Sequence, residues 1–156
     1  MSEATIRTLL YNIVNGVTDI GKVHDHFRYS NELPTWLGFY QTTINGQVQI
    51  RGWSIANEGF SSEETNTCKV LRRHRFRIRG YMSVIDSIAS EKVMSALAET
   101  VANALDDATT IRASSYPDTP PASIDVMEHR LFGGDGGALC HYVEITQGVN
   151  ETRASV

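Results

Sequence analysis

The segment from Arg72 to Arg79 constrains the fold more than any other part of the chain. It reads Arg-Arg-His-Arg-Phe-Arg-Ile-Arg, so basic and mainly apolar side chains alternate. Successive side chains of a β-strand point to opposite faces of the sheet. The pattern therefore predicts a strand over Cys68–Met82, with one face against a core and the other carrying arginines.

The arginine row on that second face consists of Arg73, Arg75, Arg77 and Arg79. Neighbours on one face of a strand are about 6.6–6.8 Å apart, so four cations repel unless anions or water intervene. Arginine favours planar, two-pronged pairing with carboxylate or phosphate. The sequence leaves four alternatives open: a solvated outer face, acids on a neighbouring strand, an acidic surface of another subunit, or a nucleic-acid backbone.

Pairing with protein carboxylates is favoured over nucleic acid. One strand is a narrow footprint, and no aromatic residues lie among the arginines on that face to stack bases. The net charge of −4 also argues against a surface that binds nucleic acid over its whole extent. Dispersed acids could serve as partners in other copies of the chain: Glu58, Glu63, Glu64, Asp106, Asp107, Glu128 and Glu144.

Hydrophobic periodicity predicts two principal helices. Apolar residues between Ile6 and Val14 recur at helical spacing and stop at Asn15-Gly16. The same spacing, preceded by an expected N-cap at Ser90, predicts a second helix to about Asp107.

Alternation and turn signals predict the other strands. A short strand is expected between Val17 and Asp25. Asn45-Gly46 predicts a hairpin of Trp36–Thr43 with Gln47–Ile55. Ile124–Phe132 and Ala138–Thr146 read as a strand pair, whereas 57–66 is expected to be a loop. The order is α-β-β-β-α-β-β, an α+β fold with a mainly antiparallel sheet and both principal helices on one face.

Length and composition bound the function. The 156 residues fit one domain, expected over 1–147, with a flexible tail over 148–156. No run of about 18 apolar residues and no export signal is evident, so we expect neither a membrane span nor a leader. The two isolated cysteines, Cys68 and Cys140, do not suggest a disulfide framework or a cysteine-based zinc site.

Three motifs invite a chemical interpretation, and each has a simpler one. His24 and His26 could share a strand face and bind a divalent ion, but nothing in the spacing links a third ligand such as His74, His129 or His141. The glycine-rich stretch 133–137 lacks the Lys-Ser/Thr of a phosphate loop and is expected to be a hairpin tip. Cys140 and His141, adjacent in a strand, point to opposite faces. We therefore predict no catalytic, cofactor or metal site.

The order of motifs carries a family resemblance. An N-terminal amphipathic helix precedes Ile20-Gly21-Lys22-Val23-His24-Asp25, and a hairpin contains Ile50-Arg51-Gly52-Trp53. His74-Arg75-Phe76-Arg77-Ile78-Arg79-Gly80-Tyr81 follows, then a helix and His141-Tyr142-Val143-Glu144-Ile145. Over nearly its whole length the chain resembles small tail-assembly proteins of tailed bacteriophages, in particular the tail terminator (tail completion) group.

The resemblance implies an α+β structural protein of the virion, assembled in the host cytoplasm, without enzyme activity or cofactor. Such proteins form a hexameric ring on the head-proximal end of the tail tube, end tube polymerisation and join the tail to the head connector. The implied partners are further copies, the tail tube protein and a connector or neck protein, while DNA passes through the lumen without specific binding. A head-side neck adaptor and a nucleic-acid-binding module are the alternatives.

A ring needs a head-to-tail interface that closes. The arginine row would dock against acids of the next subunit or of the tube protein, or line part of the channel. Candidate interface residues are Arg73, Arg75, Arg77, Arg79, Glu58, Glu63, Glu64, Gly134, Asp135 and Gly136.

Overall fold

A computed structural model describes residues 2–66, 68–133 and 136–154. In this part of the chain, three α-helices and six β-strands follow in sequence. They are α1 (Glu3–Asn15), β1 (Lys22–His24), α2 (Leu33–Tyr40), β2 (Gln41–Ile44), β3 (Gln47–Asn66), β4 (Lys69–Ser83), α3 (Ser90–Asp107), β5 (Ser123–Phe132) and β6 (Ala138–Ala154).

The strands form one sheet in the order β1-β3-β4-β6-β5, and β2 also pairs with β3. Only the short β1 runs parallel to its neighbour among the described pairs, so the sheet is mainly antiparallel. The predicted α+β class is confirmed. The long strand β4 lies between β3 and β6 and carries the arginine row at the centre of the sheet.

The main core lies between the sheet and the helices α1 and α3. Both helices bury an apolar stripe, because apolar side chains recur every three or four residues along one side. Trp53, Ile55, Phe76, Ile78 and Ile145 supply much of the sheet's contribution and are fully buried. The predicted packing of two principal helices on one face is confirmed.

The opposite face of the sheet has a smaller, aromatic core at one end. Trp36 and Tyr40 of α2 pack there against Tyr81, Tyr142 and Phe132. The rings of Trp36 and Phe132 are stacked with centroids 5.3 Å apart. The helix α2 thus covers the end of the face that also carries the arginine row.

The prediction of a strand beginning at Trp36 is wrong, because Leu33–Tyr40 forms α2. Trp36 and Tyr40 are four residues apart and share a helix face, which buries both against the sheet. Pro34 stands in the first turn, where a missing N–H costs nothing. The Asn45-Gly46 hairpin itself is confirmed, between the shorter β2 and β3, with positive φ at both residues.

The prediction that 57–66 is a loop is also wrong. This polar segment continues β3 and pairs with β4 down to Asn66 opposite Lys69, with an irregularity between Asn57 and Phe60. All residues from Gly59 to Asn66 are exposed. A strand at the edge of a sheet is held by backbone hydrogen bonds to its neighbour and does not have to bury its side chains. The polar composition of 57–66 is therefore compatible with a strand.

The segment expected to be a flexible tail belongs largely to β6, which extends to Ala154 and pairs with β4 throughout. Its outer edge beyond β5 is covered by the connection that follows α3. The Thr152 amide donates to the Ser115 carbonyl at 3.2 Å, and the Asn150 amide donates to Thr119 Oγ1 at 3.2 Å. Residues 155 and 156 lie outside the described residues.

The start of α3 differs by one residue from the prediction. Ala89, with φ of 50°, is the N-cap, and Ser90 is the first helical residue. Ser90 Oγ accepts the Ile85 amide at 2.8 Å and lies 2.7 Å from His141 Nε2. The serine therefore ties the preceding turn and β6 to the helix instead of capping it. No helix in the described residues has both the length and the apolar character needed to cross a membrane.

Candidate interaction surface

The arginine row lies on the sheet face that does not contact α1 and α3. His74, Phe76 and Ile78 point into the main core, and each is at most 2% exposed. Arg73 and Arg75 are exposed, while Arg77 and Arg79 are half-buried. The alternation predicted from the sequence is confirmed, and burial of the row increases toward the end that α2 covers.

Three carboxylates interleave with the four arginines. Glu58 Oε1 lies 2.6 Å from Arg77 Nε, and Glu58 Oε2 lies 3.3 Å from Arg75 Nε. Glu144 accepts a hydrogen bond from Arg77 and lies 3.9 Å from Arg79 Nε. The row and its carboxylates therefore form a ladder of alternating charge across three strands.

The outermost rung of this ladder joins Arg73 to Glu63. Arg73 Nη2 lies 2.8 Å from Glu63 Oε2, and both side chains are more than half exposed. An exposed pair of this kind contributes little to stability. The outer end is therefore the part of the ladder most available to another molecule.

The strand register explains why these groups meet. Glu144 of β6 stands directly opposite Arg79 of β4, and Arg77 is its diagonal neighbour. Glu58 lies in the irregularity of β3 between Asn57 and Phe60. Both carboxylates are shielded, because their side chains are 22% and 9% exposed for Glu58 and Glu144. Sequence spacing alone reveals none of these contacts, which span up to 67 residues of chain.

The titration behaviour reflects this arrangement. Hydrogen bonding to Glu58 and then to Glu144 raises the pKa of Arg77, against the opposing effect of burial. Burial alone would raise the pKa of Glu144, but hydrogen bonds from Tyr142 and Arg77 lower it below its ordinary value. Burial, together with the Glu144 carboxylate at 2.5 Å from its hydroxyl, raises the pKa of Tyr142 to about 12. Arg77 and Glu144 therefore both carry their charges near neutral pH.

The structure places the remaining candidate residues elsewhere. Glu64 stands opposite Val70, so it points away from the arginine row. Gly136, with φ of 73°, lies beside the β5–β6 turn, beyond the Ser83 end of β4. Gly134 and Asp135 lie outside the described residues. The acids that pair with the row within one chain come from the neighbouring strands β3 and β6, which is one of the alternatives that the sequence left open.

An aromatic pair near the row escaped the sequence analysis. The loop before α2 brings the Phe27 ring to 5.0 Å from the Arg79 guanidinium carbon, and the Tyr29 ring stacks on Phe27 with centroids 6.2 Å apart. Both rings are about half exposed or more. The signal in the sequence is the run Phe27-Arg28-Tyr29, but its distance from Arg79 along the chain hides the contact.

A depression of about 590 Å³ opens beside the exposed end of the row. Arg73 and Arg75 line one side, and Pro120 and Asn150 line the other. Gly148 forms part of the floor, where an added Cβ would meet Pro120 Cγ at 2.6 Å. The connection after α3 therefore packs tightly over β6 and bounds the depression.

The motifs that suggested chemistry have structural partners instead. His24 Nε2 lies 2.7 Å from the Phe39 carbonyl oxygen, and His26 Nδ1 lies 2.7 Å from Asp25 Oδ1. Among the described residues, no three His, Cys, Asp or Glu side chains are grouped to hold a metal ion. Cys140 faces the aromatic core and His141 faces α3, so the prediction that they lie on opposite faces is confirmed.

The Ser90–His141 hydrogen bond is a serine–histidine contact that the sequence analysis missed. Both residues are buried. Burial lowers the pKa of His141, and the nearby His129 lowers it further. Because Ser90 Oγ already accepts the Ile85 amide, we assign the pair to the junction of α3 with the sheet.

Comparison with models of protein families finds no match, and comparison with curated protein sequences finds none either.

Proposed function

We propose that the protein is a structural component of a phage tail that forms a ring at the head-proximal end of the tail tube. The ring ends tube polymerisation and joins the tail to the head connector. The proposal rests on the sequence resemblance to tail terminators. The observation that carries it in the structure is the exposed outer half of the β3–β4 hairpin, where Arg73 and Arg75 end the charge ladder.

This hairpin has the features of an assembly surface. Beyond Asn57, β3 pairs with β4 alone among the described strands, so its other edge is open. Open strand edges pair readily with other chains. The partly buried rungs at Arg77 and Arg79 keep the hairpin's base rigid, while its exposed end can contact a neighbouring subunit or the tube protein.

The charges at the exposed end suit contacts with a protein partner. Arg75 is 65% exposed and is held by Glu58 at 3.3 Å. Its guanidinium has five N–H donors, more than one carboxylate can accept. In the ring, the remaining donors bind acids of the next subunit. The chain performs no chemistry in this role, and DNA passes the ring without specific contacts because carboxylates already neutralise most of the row.

The test uses a charge reversal at the exposed end of the ladder. We expect the wild-type protein to form rings that cap purified tail tubes in negative-stain micrographs, and Arg75→Glu to remain folded but fail to cap. Lys92→Glu is the matched control, because Lys92 is exposed on α3; it should cap like the wild type. A wild-type protein that never caps tubes, or an Arg75→Glu variant that caps normally, contradicts the proposal. Rings bound to portal instead of tubes would assign the protein to the head-side neck.

A nucleic-acid-binding module is the second candidate, and one observation favours it. The exposed Phe27 and Tyr29 rings beside Arg79 resemble the stacking platforms of single-strand-binding proteins. The three carboxylates of the ladder weaken it, because they offset the positive charge that a phosphate backbone needs. Affinity for single-stranded DNA that falls steeply with salt, and falls again in Phe27→Ala, would support this candidate over the ring.

A further inference from the structure

The edge strand β5 has an unusual pattern of side chains. Along the described sheet it pairs with β6 alone, which leaves its other edge open. Eight of its ten residues are exposed, the two exceptions being half-buried. Met127 and Leu131 are 47% and 63% exposed on the side of the sheet that faces α3. Proteins protect such an edge with charged side chains, proline, a β-bulge or a covering segment. From Val126 onward β5 contains no proline and no irregularity, and its charged side chains there are Glu128 and Arg130, which have opposite signs.

The sequence of β5 from Val126 to Phe132 is complementary to itself when reversed. It reads Val-Met-Glu-His-Arg-Leu-Phe. Antiparallel pairing of two copies centred on His129 sets Glu128 opposite Arg130, Met127 opposite Leu131, and Val126 opposite Phe132. Each of these pairs occurs twice. Opposite charges and apolar side chains directly across from each other stabilise a sheet.

We propose that β5 of one copy pairs with β5 of a second copy in this register, so that the two sheets join across a twofold axis at His129. Along β5 from Val126 the pairing with β6 is regular, so alternate residues present their backbone groups to the open edge. Antiparallel pairing of two identical edges requires outward-facing residues to meet outward-facing residues, which permits only registers centred on a residue.

Neighbouring registers lose the complementarity. A centre at Glu128 sets Val126 opposite Arg130, and a centre at Arg130 sets Glu128 opposite Phe132. The register at His129 is therefore the one in which the charges pair and the exposed apolar side chains are covered. In the single chain, Arg130 donates a hydrogen bond to Glu128 two residues away, and both side chains stay over 40% exposed, so both can reach a partner strand.

The same surface gains apolar area from the strands beside β5. Leu131 stands opposite Leu139 of β6, which is 53% exposed, and Val84, 42% exposed, follows the end of β4 next to it. Exposed apolar patches of a few hundred Å² commonly mark contact sites. A twofold contact covers the part of this patch nearest β5.

This twofold contact goes beyond the proposed ring. A ring closes through head-to-tail contacts, which join two different surfaces of the subunit. The β5 contact instead joins the same surface of both copies. It joins two free chains, or two rings face to face. The two proposals can therefore fail separately: rings that never double contradict the β5 contact alone, and pairs that never form rings contradict the ring alone.

A charge exchange tests the proposal by sedimentation of the purified full chain. We expect the wild type to show a twofold association step, and Glu128→Arg or Arg130→Glu to weaken it by about tenfold or more, because each places two like-charged pairs across the axis. The combined Glu128→Arg/Arg130→Glu variant should restore the association constant to within about threefold. Glu99→Arg, an equal charge change on the exposed side of α3, should have no effect. The proposal is overturned if the wild type shows no twofold association step, or if the folded double variant does not regain the wild-type association constant.

Cysteine cross-linking tests the register independently, in a Cys68→Ser/Cys140→Ala background, because Cys140 of β6 stands directly opposite Arg130 in the same chain. Side chains directly opposite in a sheet have Cβ atoms about 4.5–5.5 Å apart, so His129→Cys should form an intermolecular disulfide under mild oxidation. Arg130→Cys alone should not, but a mixture with Glu128→Cys should yield the mixed dimer. Equal cross-linking at all three positions, or none at His129→Cys, contradicts the register.

Discussion

His74 Nε2 lies 2.9 Å from Glu151 Oε2, and each side chain is only 1% exposed. The contact joins β4 to the end of β6, in the stretch that the sequence suggested to be a flexible tail. Burial raises the pKa of the adjacent Tyr116 phenol, and the charge of Glu151 raises it further. A buried carboxylate with a partner anchors this end of β6 firmly.

Removing the Glu151 carboxylate should destabilise the protein strongly. Loss of one member of a buried pair costs about 3–5 kcal/mol, because the other polar group stays buried without its partner. We expect Glu151→Ala to lower the free energy of unfolding in urea by about 3 kcal/mol. Glu64→Ala, an equivalent change at an exposed position of β3, should change it by less than about 0.5 kcal/mol. Equal effects of the two substitutions would show that β6 is not anchored at Glu151.

Acid should weaken the protein in part through Glu144. The pKa of this carboxyl is lower in the folded state than its ordinary value of 4.5: burial opposes the shift, but the Tyr142 and Arg77 hydrogen bonds prevail. A lowered pKa gives stability that is fully present above pH 4.5 and is lost as the pH falls through the folded-state pKa.

Glu144→Gln therefore should be less stable than the wild type at pH 6 and should lose less stability between pH 5 and pH 3. Urea unfolding at several pH values measures both effects. Asp125, whose pKa is lowered by hydrogen bonds from Thr146 and Ser123, should keep some acid sensitivity in the variant. Parallel stability curves for variant and wild type would contradict the role assigned to Glu144.

The sequence predicted the elements whose side chains have a buried and an exposed face. The alternation around Arg73–Arg79 gave β4, and helical spacing gave α1 and α3, because one face of each packs on the core. The strand prediction for Trp36–Thr43 failed over its first half because the aromatic residues there also favour strands; the spacing of Trp36 and Tyr40 and the position of Pro34 were the better signals. Polar 57–66 was assigned to a loop because an exposed strand leaves no hydrophobic alternation to detect.

The candidate surface was predictable only in part. The strand period places four arginines on one face without knowledge of the fold. Which carboxylates meet them depends on the register of β3 and β6 and on the irregularity at Glu58, and no local pattern determines these. The contact of Phe27 with Arg79 likewise requires the three-dimensional path of a loop. Local periodicity therefore identifies a face, and only the assembled sheet identifies its partners.

Gly80 should not tolerate a side chain. A Cβ added there would lie 2.6 Å from Trp53 Cζ3 and 2.7 Å from Val143 Cγ1, both in the main core. Overpacking of this kind costs about 1–3 kcal/mol, so Gly80→Ala should lower the midpoint of urea unfolding. Gly38→Ala is the matched control, because no atom lies within 4 Å of the added Cβ in α2 and alanine favours a helix by up to about 1 kcal/mol. A Gly80→Ala variant as stable as Gly38→Ala would contradict the packing of Trp53 over β4.

The two cysteines should react at very different rates. Cys68 is exposed next to the β3–β4 turn, whereas Cys140 is buried in the aromatic core, and burial raises the pKa of its thiol to about 12. Since the thiolate is the reactive form, a disulfide reagent at pH 8 should modify one thiol per native chain quickly and the second only after unfolding. Cys68→Ser should abolish the fast phase and leave the slow one. Rapid modification of two thiols in the native protein would show that Cys140 is accessible, and would contradict the packing of α2 against this face of the sheet.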